Sequence, residues 1–407
     1  MRRILSVMPV LLLVISAVVL FSSRNNSTTH SQIRSAAITA HNYRYYILKG
    51  PGGFVLARAA RGPHGEPAET PQPLAPLGNG FGQYETDSVG SIQLSPDGQY
   101  LAIDGVREGG EQVWIYDTQR MMVSLQPPAV MGNFLHWLPG SHSFLYRPMF
   151  PMGSNAPIDG NGWNPGLWIV DAATGAHRNI DIGAPSASLI DAAASPDGSR
   201  IIYSTTPGLG MGSDTFLMRS DGSNRVHLFS TGGGAQSVAG LFAWSPDGKR
   251  IAYERISDSS TPFLPSGLWV MDSQGGGQQR LADADGGHDY APVWSPDSRK
   301  IAFVVRTNVN DQRADVQAEA LQSAIGVVDI DSGSSRLVGL PAQTGVQMSI
   351  NPLWTSDSAS VTFTAMNPAN KIVGGTPRYW SADVSQDRSS PQPVPLTPAI
   401  SHVVAEG

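Results

Sequence analysis

Residues 242–253 read FAWSPDGKRIAY, and this stretch decides the fold. A short apolar segment runs into Ser-Pro-Asp-Gly and out into a second one, the pattern of two strands about a tight turn. Proline presets φ at the second turn position, aspartate bonds neighbouring amides, and glycine accepts a positive φ. The phrase returns as SIQLSPDGQYLAI from Ser91, LHWLPGSHSFLY from Leu135, AAASPDGSRIIY from Ala192, PVWSPDSRKIAF from Pro292 and PLWTSDSASVTF from Pro352. The turns start at Ser95, Leu138, Ser195, Ser245, Ser295 and Thr355, with spacings of 43, 57, 50, 50 and 60 residues. Asp97, Asp197, Asp247 and Asp297 recur once per repeat, so they read as structural turn formers and not as catalytic acids.

A second series interleaves with the first: VWIYDTQR from Val113, LWIVDAATGAHRNI from Leu167, TFLMRSDGSNRVHLF from Thr215, LWVMDSQGGGQQRL from Leu268, IGVVDIDSGSSRLV from Ile325 and YWSADVSQDRSSPQPV from Tyr379. Each is a strand, a polar turn and another strand. Two hairpins per repeat make a four-stranded sheet, and such sheets repeated around an axis make a β-propeller. Six pairs predict an all-β, six-bladed propeller. The segment NYRYYILKGPGGFVLARA, Asn42–Ala59, is a further hairpin upstream of the first turn. It either closes the ring with the C-terminal segment or begins a seventh blade, so seven blades is the alternative. Trp137, Trp244, Trp294 and Trp354 recur just before the turn and are read as blade-packing residues.

Composition agrees with many turns and few long helices: 407 residues include 44 Gly and 31 Pro, and only 15% are charged. The net charge of −6 and the lack of a basic run argue against a nucleic-acid partner. With no cysteine, disulfides, thiolate metal sites and cysteine nucleophiles are excluded. Arg2 and Arg3 precede 18 uncharged, mainly apolar residues, Ile4–Phe21. Residues 1–24 therefore read as a single apolar helix, either an uncleaved membrane anchor or a signal peptide. Residues 25–42 form a polar tether and 43–407 the propeller. Positive charge resists translocation, which places the propeller on the extracytoplasmic side of a bacterial inner membrane, or makes it secreted if the leader is cleaved.

WSPDGKRIAYE (Trp244–Glu254) and VWSPDSRKIAFV (Val293–Val304), followed by GLWVMD at Gly267 and GVVDIDSG at Gly326, resemble the repeat of TolB-type propellers over about residues 90–385. The resemblance implies a non-catalytic, extracytoplasmic propeller that binds protein or peptide segments at one mouth of its channel. Residues 25–90 leave no room for the α/β domain of TolB itself. Similar repeats precede the hydrolase domain of prolyl-oligopeptidase-like peptidases, but no Gly-x-Ser-x-Gly elbow occurs and the sequence stops with the repeats.

Acids, bases or metal ligands near the axis of a propeller are expected on the connections into the innermost strands, seven and six residues before each turn start. Those positions hold Ser88, Met131, Ser188, Val238, His288 and Met348, then Val89, Gly132, Leu189, Ala239, Asp289 and Ser349. One His and one Asp from a single repeat make neither a metal ring nor a carboxylate pair, with Asp191 and Asp289 the only inner acids. No cofactor and no metal are expected. His288 and Asp289 stay as a ligand pair for the alternative, a lactonase-like small-molecule hydrolase using the channel mouth. The connections between hairpins are richer. Residues 148–166 carry Met149, Phe150, Met152 and Trp163, and residues 206–214, 257–267 and 307–323 lie on the same rim. These soft apolar and aromatic groups suit a protein interface, so the rim is expected to bind protein partners as part of an envelope complex.

Overall fold

The computed structural model describes residues 42–406 except 78–80, 83–87, 108–109, 127–131, 149–165, 182–186, 209, 233–237, 258–265, 286–289, 316, 318–319, 368–377, 386–389 and 395–402. Every Ser-Pro-Asp-Gly turn is built alike. The Ser95 hydroxyl donates to Asp97 Oδ1 at 2.6 Å and accepts the Tyr100 amide at 2.9 Å, while the Gln99 amide donates to the same carboxylate at 3.1 Å. Ser195 with Asp197 and Ser245 with Asp247 repeat the motif at 2.5 and 2.7 Å. Thr355 with Asp357 repeats it at 2.6 Å. The serine is buried in each copy and its hydroxyl replaces water for both the carboxylate and the returning strand. The second turn of a blade is capped by the aspartate that ends the third strand: Asp117 Oδ1 accepts the Gln119 and Arg120 amides, and Asp272 Oδ1 those of Gln274 and Gly276.

These hairpins assemble seven antiparallel four-stranded sheets. Counted from the channel outward, blade 2 is Ser88–Leu94, Tyr100–Arg107, Gly110–Asp117 and Met122–Leu125. Blade 3 is Gly132–Trp137, Ser143–Pro148, Leu167–Asp171 and His177–Asp181. Blade 4 is Ser188–Ala194, Arg200–Thr206, Asp214–Arg219 and Val226–Ser230. Blade 5 is Val238–Trp244, Arg250–Ile256, Ser266–Asp272 and Gln279–Ala284. Blade 6 is Val293–Trp294, Lys300–Arg306, Ser323–Asp329 and Ser335–Val338. Blade 7 is Met348–Trp354, Ser360–Met366, Arg378–Asp383 and Gln392–Pro393.

Blade 1 corrects the expected count of six. Its three outer strands, Tyr43–Gly50, Gly53–Ala60 and Gln72–Pro76, come from the N-terminal side, and its innermost strand is Val403–Glu406. Tyr46 pairs with Glu406, Ile47 with Ala405 and Leu48 with Val403. The two inner strands of this blade are far apart in the chain, so no turn joins them and the repeat signature is missing. Seven blades is therefore the count. The helix expected within residues 1–24 lies outside the described residues. Among the described residues no helix is long and apolar enough to cross a membrane.

The apolar cores sit in the joints between consecutive blades. Ile47 and Leu56 of blade 1 pack with Ile92, Leu101, Ile103 and Trp114 of blade 2. At about 1.5–3 kcal/mol for each fully buried large aliphatic or aromatic side chain, these joints are what holds the ring. The joint between blades 7 and 1 is more polar: the Arg44 guanidinium lies 4.8 Å from the Tyr379 ring and the Tyr379 and Tyr46 hydroxyls meet at 3.5 Å.

Candidate functional site

The innermost strands surround a channel of about 940 Å³. In blades 2, 3, 4, 5 and 7 each such strand slips by one residue against its partner, between Val89 and Ser91, Phe134 and His136, Leu189 and Asp191, Gly240 and Ala243, and Ile350 and Leu353. A bulge at one register re-aims the following side chains. It turns Ser91, Phe134, Asp191, Leu241 and Asn351, each four residues before its turn, to the channel. Leu241 and Asn351 hold positive φ there, 54° and 52°. The channel wall thus lies two to five residues before the turn, nearer the turn than the two positions compared in the sequence. Ser188, Val238, Val89, Gly132, Leu189, Ala239, Met348 and Ser349 are not among the lining residues, and Met131 lies outside the described residues.

Among the described residues the ionisable side chains lining the channel are Arg44, Arg61, Asp104, His136, Asp191 and Tyr290. Asp191 is held by backbone. One oxygen accepts its neighbour Ala192's amide at 2.7 Å, and the other accepts the Phe242 amide of blade 5 at 2.9 Å. The carboxylate thereby ties blade 4 to blade 5. His136 Nδ1 lies 2.6 Å from the Trp137 carbonyl oxygen. An oxygen acceptor there requires the proton on Nδ1, which leaves Nε2 as an acceptor. Enclosure by the surrounding strands pushes the imidazole's pKa down, against the pull of the Trp137 carbonyl, so His136 is neutral near pH 7. Among the described residues no group of three or more His, Asp or Glu side chains converges as a metal site.

The tryptophans before the turns act between blades. Trp137 Nε1 donates to the Gln93 carbonyl at 3.0 Å, Trp244 to Ala193 at 3.3 Å, Trp294 to Ala243 at 2.9 Å and Trp354 to Val293 at 2.9 Å. Each indole reaches the preceding blade's strand two residues before its turn. Blade 4 carries Ala194 in that place, and Leu138 of blade 3 joins it in one buried apolar cluster.

Of the residues singled out from sequence, Met149, Phe150, Met152, Trp163, His288 and Asp289 lie outside the described residues. Asp97, Asp197, Asp247 and Asp297 stand in the turns, on the end of the ring opposite the long connections. Arg44, Arg61, Asp104 and His136 escaped sequence reading. The arginines belong to the segment without the repeat signature. His136 sits in the most divergent copy, where the other copies have Gln93, Ala193, Ala243, Val293 and Leu353, and that contrast was the available signal.

No family model matches the sequence, and no curated protein does. Solved structures do. An oligogalacturonate lyase in complex with manganese is 15% identical over 86% of this chain and 87% of its own, with a TM-score of 0.53. The chain is a β-propeller. A prolyl endopeptidase structure is 14% identical with a TM-score of 0.53, covering 92% of this chain, which spans about half, 55%, of that protein's length. TolB from Acinetobacter baumannii is 17% identical over 78% of this chain and 71% of its own, with a TM-score of 0.46. At such identities the likeness speaks for the fold alone.

Proposed function

We propose that the chain is a non-catalytic scaffold of the bacterial cell envelope, tethered to the inner membrane through residues 4–21, whose propeller binds protein partners on its extracytoplasmic side. One observation carries this reading: the connections between second and third strands are grossly uneven. Blades 1 and 2 turn within two residues, between Gly50 and Gly53 and between Arg107 and Gly110. The same connection runs for 18 residues after Pro148, 16 after Arg306, 11 after Met366, 9 after Ile256 and 7 after Thr206. The strands that these connections join all end on one face of the ring, and long connections on one face of a rigid scaffold are where binding surfaces are carried. Asp191, one of two acids lining the channel, supports the absence of catalysis, because both its oxygens are engaged by backbone amides.

The test is gentle solubilisation of the tagged full-length chain, with the mass of the intact complex measured for the native protein and for a variant with residues 149–165 replaced by a short Gly/Ser link. A stoichiometric partner held by the native chain and lost from the variant is expected. A bare monomer in both cases would overturn the reading. The second reading is a small-molecule enzyme of the channel. His136 favours it, as a neutral imidazole with an acceptor nitrogen free of protein donors among the described residues. It requires turnover that is lost in His136→Ala.

A further inference from the structure

The joints entering blades 3, 5, 6 and 7 are closed by the same ring. Trp137, Trp244, Trp294 and Trp354 each pass an indole N–H to a carbonyl of the preceding blade, on Gln93, Ala193, Ala243 and Val293. Between blades 3 and 4 the place of the ring belongs to Ala194, and the carbonyl that would take its N–H belongs to His136. Among the described residues no side chain donates to that oxygen. Blade 2 also lacks the tryptophan, but there Leu94 packs against the apolar cluster shared with blade 1. Leu138 packs with Ala194 and is not a lining residue of the channel, so it fills this joint from behind. On the channel side the wall consists of Leu135, His136, Pro139, Ala192, Ala194 and Pro196. Apart from His136 these are apolar, and alanines stand where the other joints carry an indole. A rigid apolar wall with a large ring replaced by alanine accepts an aromatic ring from outside.

We propose that the recess at Ala194 is a binding site for an indole ring, brought into the channel as a tryptophan side chain of a partner segment. The chain's own solution at four equivalent places defines the fit: an apolar bicyclic ring laid across the joint, its single N–H on a backbone carbonyl of the preceding blade. Here the ring rests on Pro139, Pro196 and the two alanines and donates to the His136 carbonyl. A phenyl ring packs on the same surface without that bond. The channel, at about 940 Å³, is larger than one such ring and has room for the chain that carries it. That the ring arrives on a protein rests on the binding function proposed above; the recess itself does not.

The experiment titrates the full-length chain with acetyl-Gly-Trp-Gly-amide, the same peptide carrying 1-methyltryptophan, its Phe counterpart and free indole, following heat of binding. It compares the native protein with Ala194→Trp, which puts the chain's own ring into the recess, and with Ala194→Leu, a smaller filling that serves if the tryptophan variant does not melt as a folded protein. Saturable binding of the Trp peptide is expected, at least tenfold weaker for the methylated and Phe peptides, which lack the N–H, and lost in the folded filled variant. Because the methylated peptide is compared on the native protein, that arm stands whatever the variants do. Absence of Trp-peptide binding up to about 10 mM, equal binding of the methylated peptide, or unchanged binding in a folded filled variant would each overturn the site. Free indole bound more tightly than the peptide would overturn the side chain as its occupant. A protein partner held equally by a folded filled variant, with no Trp peptide bound, would sink this site and leave the scaffold reading standing; Trp peptide bound by a chain that holds no partner would do the opposite.

Discussion

Ser298 and Ser358 occupy the last turn position, where blades 4 and 5 have Gly198 and Gly248, and they hold φ of 61° and 60°. A side chain in this left-handed region costs roughly 1 kcal/mol. The hydroxyls offset that cost between blades: the Asp247 amide donates to Ser298 Oγ and the Asp297 amide to Ser358 Oγ, both at 3.1 Å. Ser298→Ala keeps the strain and loses the bond, so calorimetry should show a loss of about 1–2 kcal/mol. Ser298→Gly loses the bond and the strain together and should be nearly neutral; equal losses in both variants would remove the hydroxyl from this account. The carboxylates of these turns set the acid limit. Asp197 is pulled from 3.8 down to about 2, first by the Ser195 hydroxyl and then by Ser199. A carboxyl depressed on folding adds stability above its unfolded pKa, and that increment is lost as pH falls through the folded value. The melting temperature should therefore drop between about pH 4 and pH 2, and Ser195→Ala should flatten this slope while lowering stability at pH 7.

At the scale of the strand, an indole N–H is a compact inter-blade tie. Trp294→Phe retains most of the buried ring but leaves the Ala243 carbonyl without its donor. A loss of about 1–2 kcal/mol is expected, measured by denaturant unfolding. An unchanged midpoint would mean that packing alone holds the joint between blades 5 and 6. Strands and turns were legible in the sequence because period-two patterning and the Ser-Pro-Asp-Gly phrase are local properties. The channel was not, because a single-residue bulge before the turn in blades 2, 3, 4, 5 and 7 exchanges the faces of the strand, and nothing in the residues at Ser91, Asp191 or Leu241 announces the extra residue. Arg44 and Arg61 were invisible for a related reason: without repeat copies of their own blade there was nothing to align them with.

For the whole molecule, the count of blades depended on two segments that meet only in three dimensions. The turn that marks every other blade is replaced in blade 1 by pairing between residues 46–48 and 403–406. Removing residues 403–406 strips the inner strand from blade 1 and exposes the edge that begins at Tyr46 and Ile47, both fully buried in the intact ring. The truncated chain should lose cooperative unfolding and self-associate, as seen by light scattering, because an open apolar edge pairs with other chains. A stable monomer would show that the other six blades hold the ring unaided.

The same closure orders events at the ribosome. Tyr43–Gly50 is synthesised early, yet its inner neighbour is among the last stretches of the described chain to be made. Through most of synthesis that blade exists as three strands with one side unsatisfied, waiting on hundreds of residues still to come, and interrupted translation leaves it so. A holding chaperone during biogenesis is what such a wait calls for, and its natural footprint is the edge from Tyr45 to Leu48.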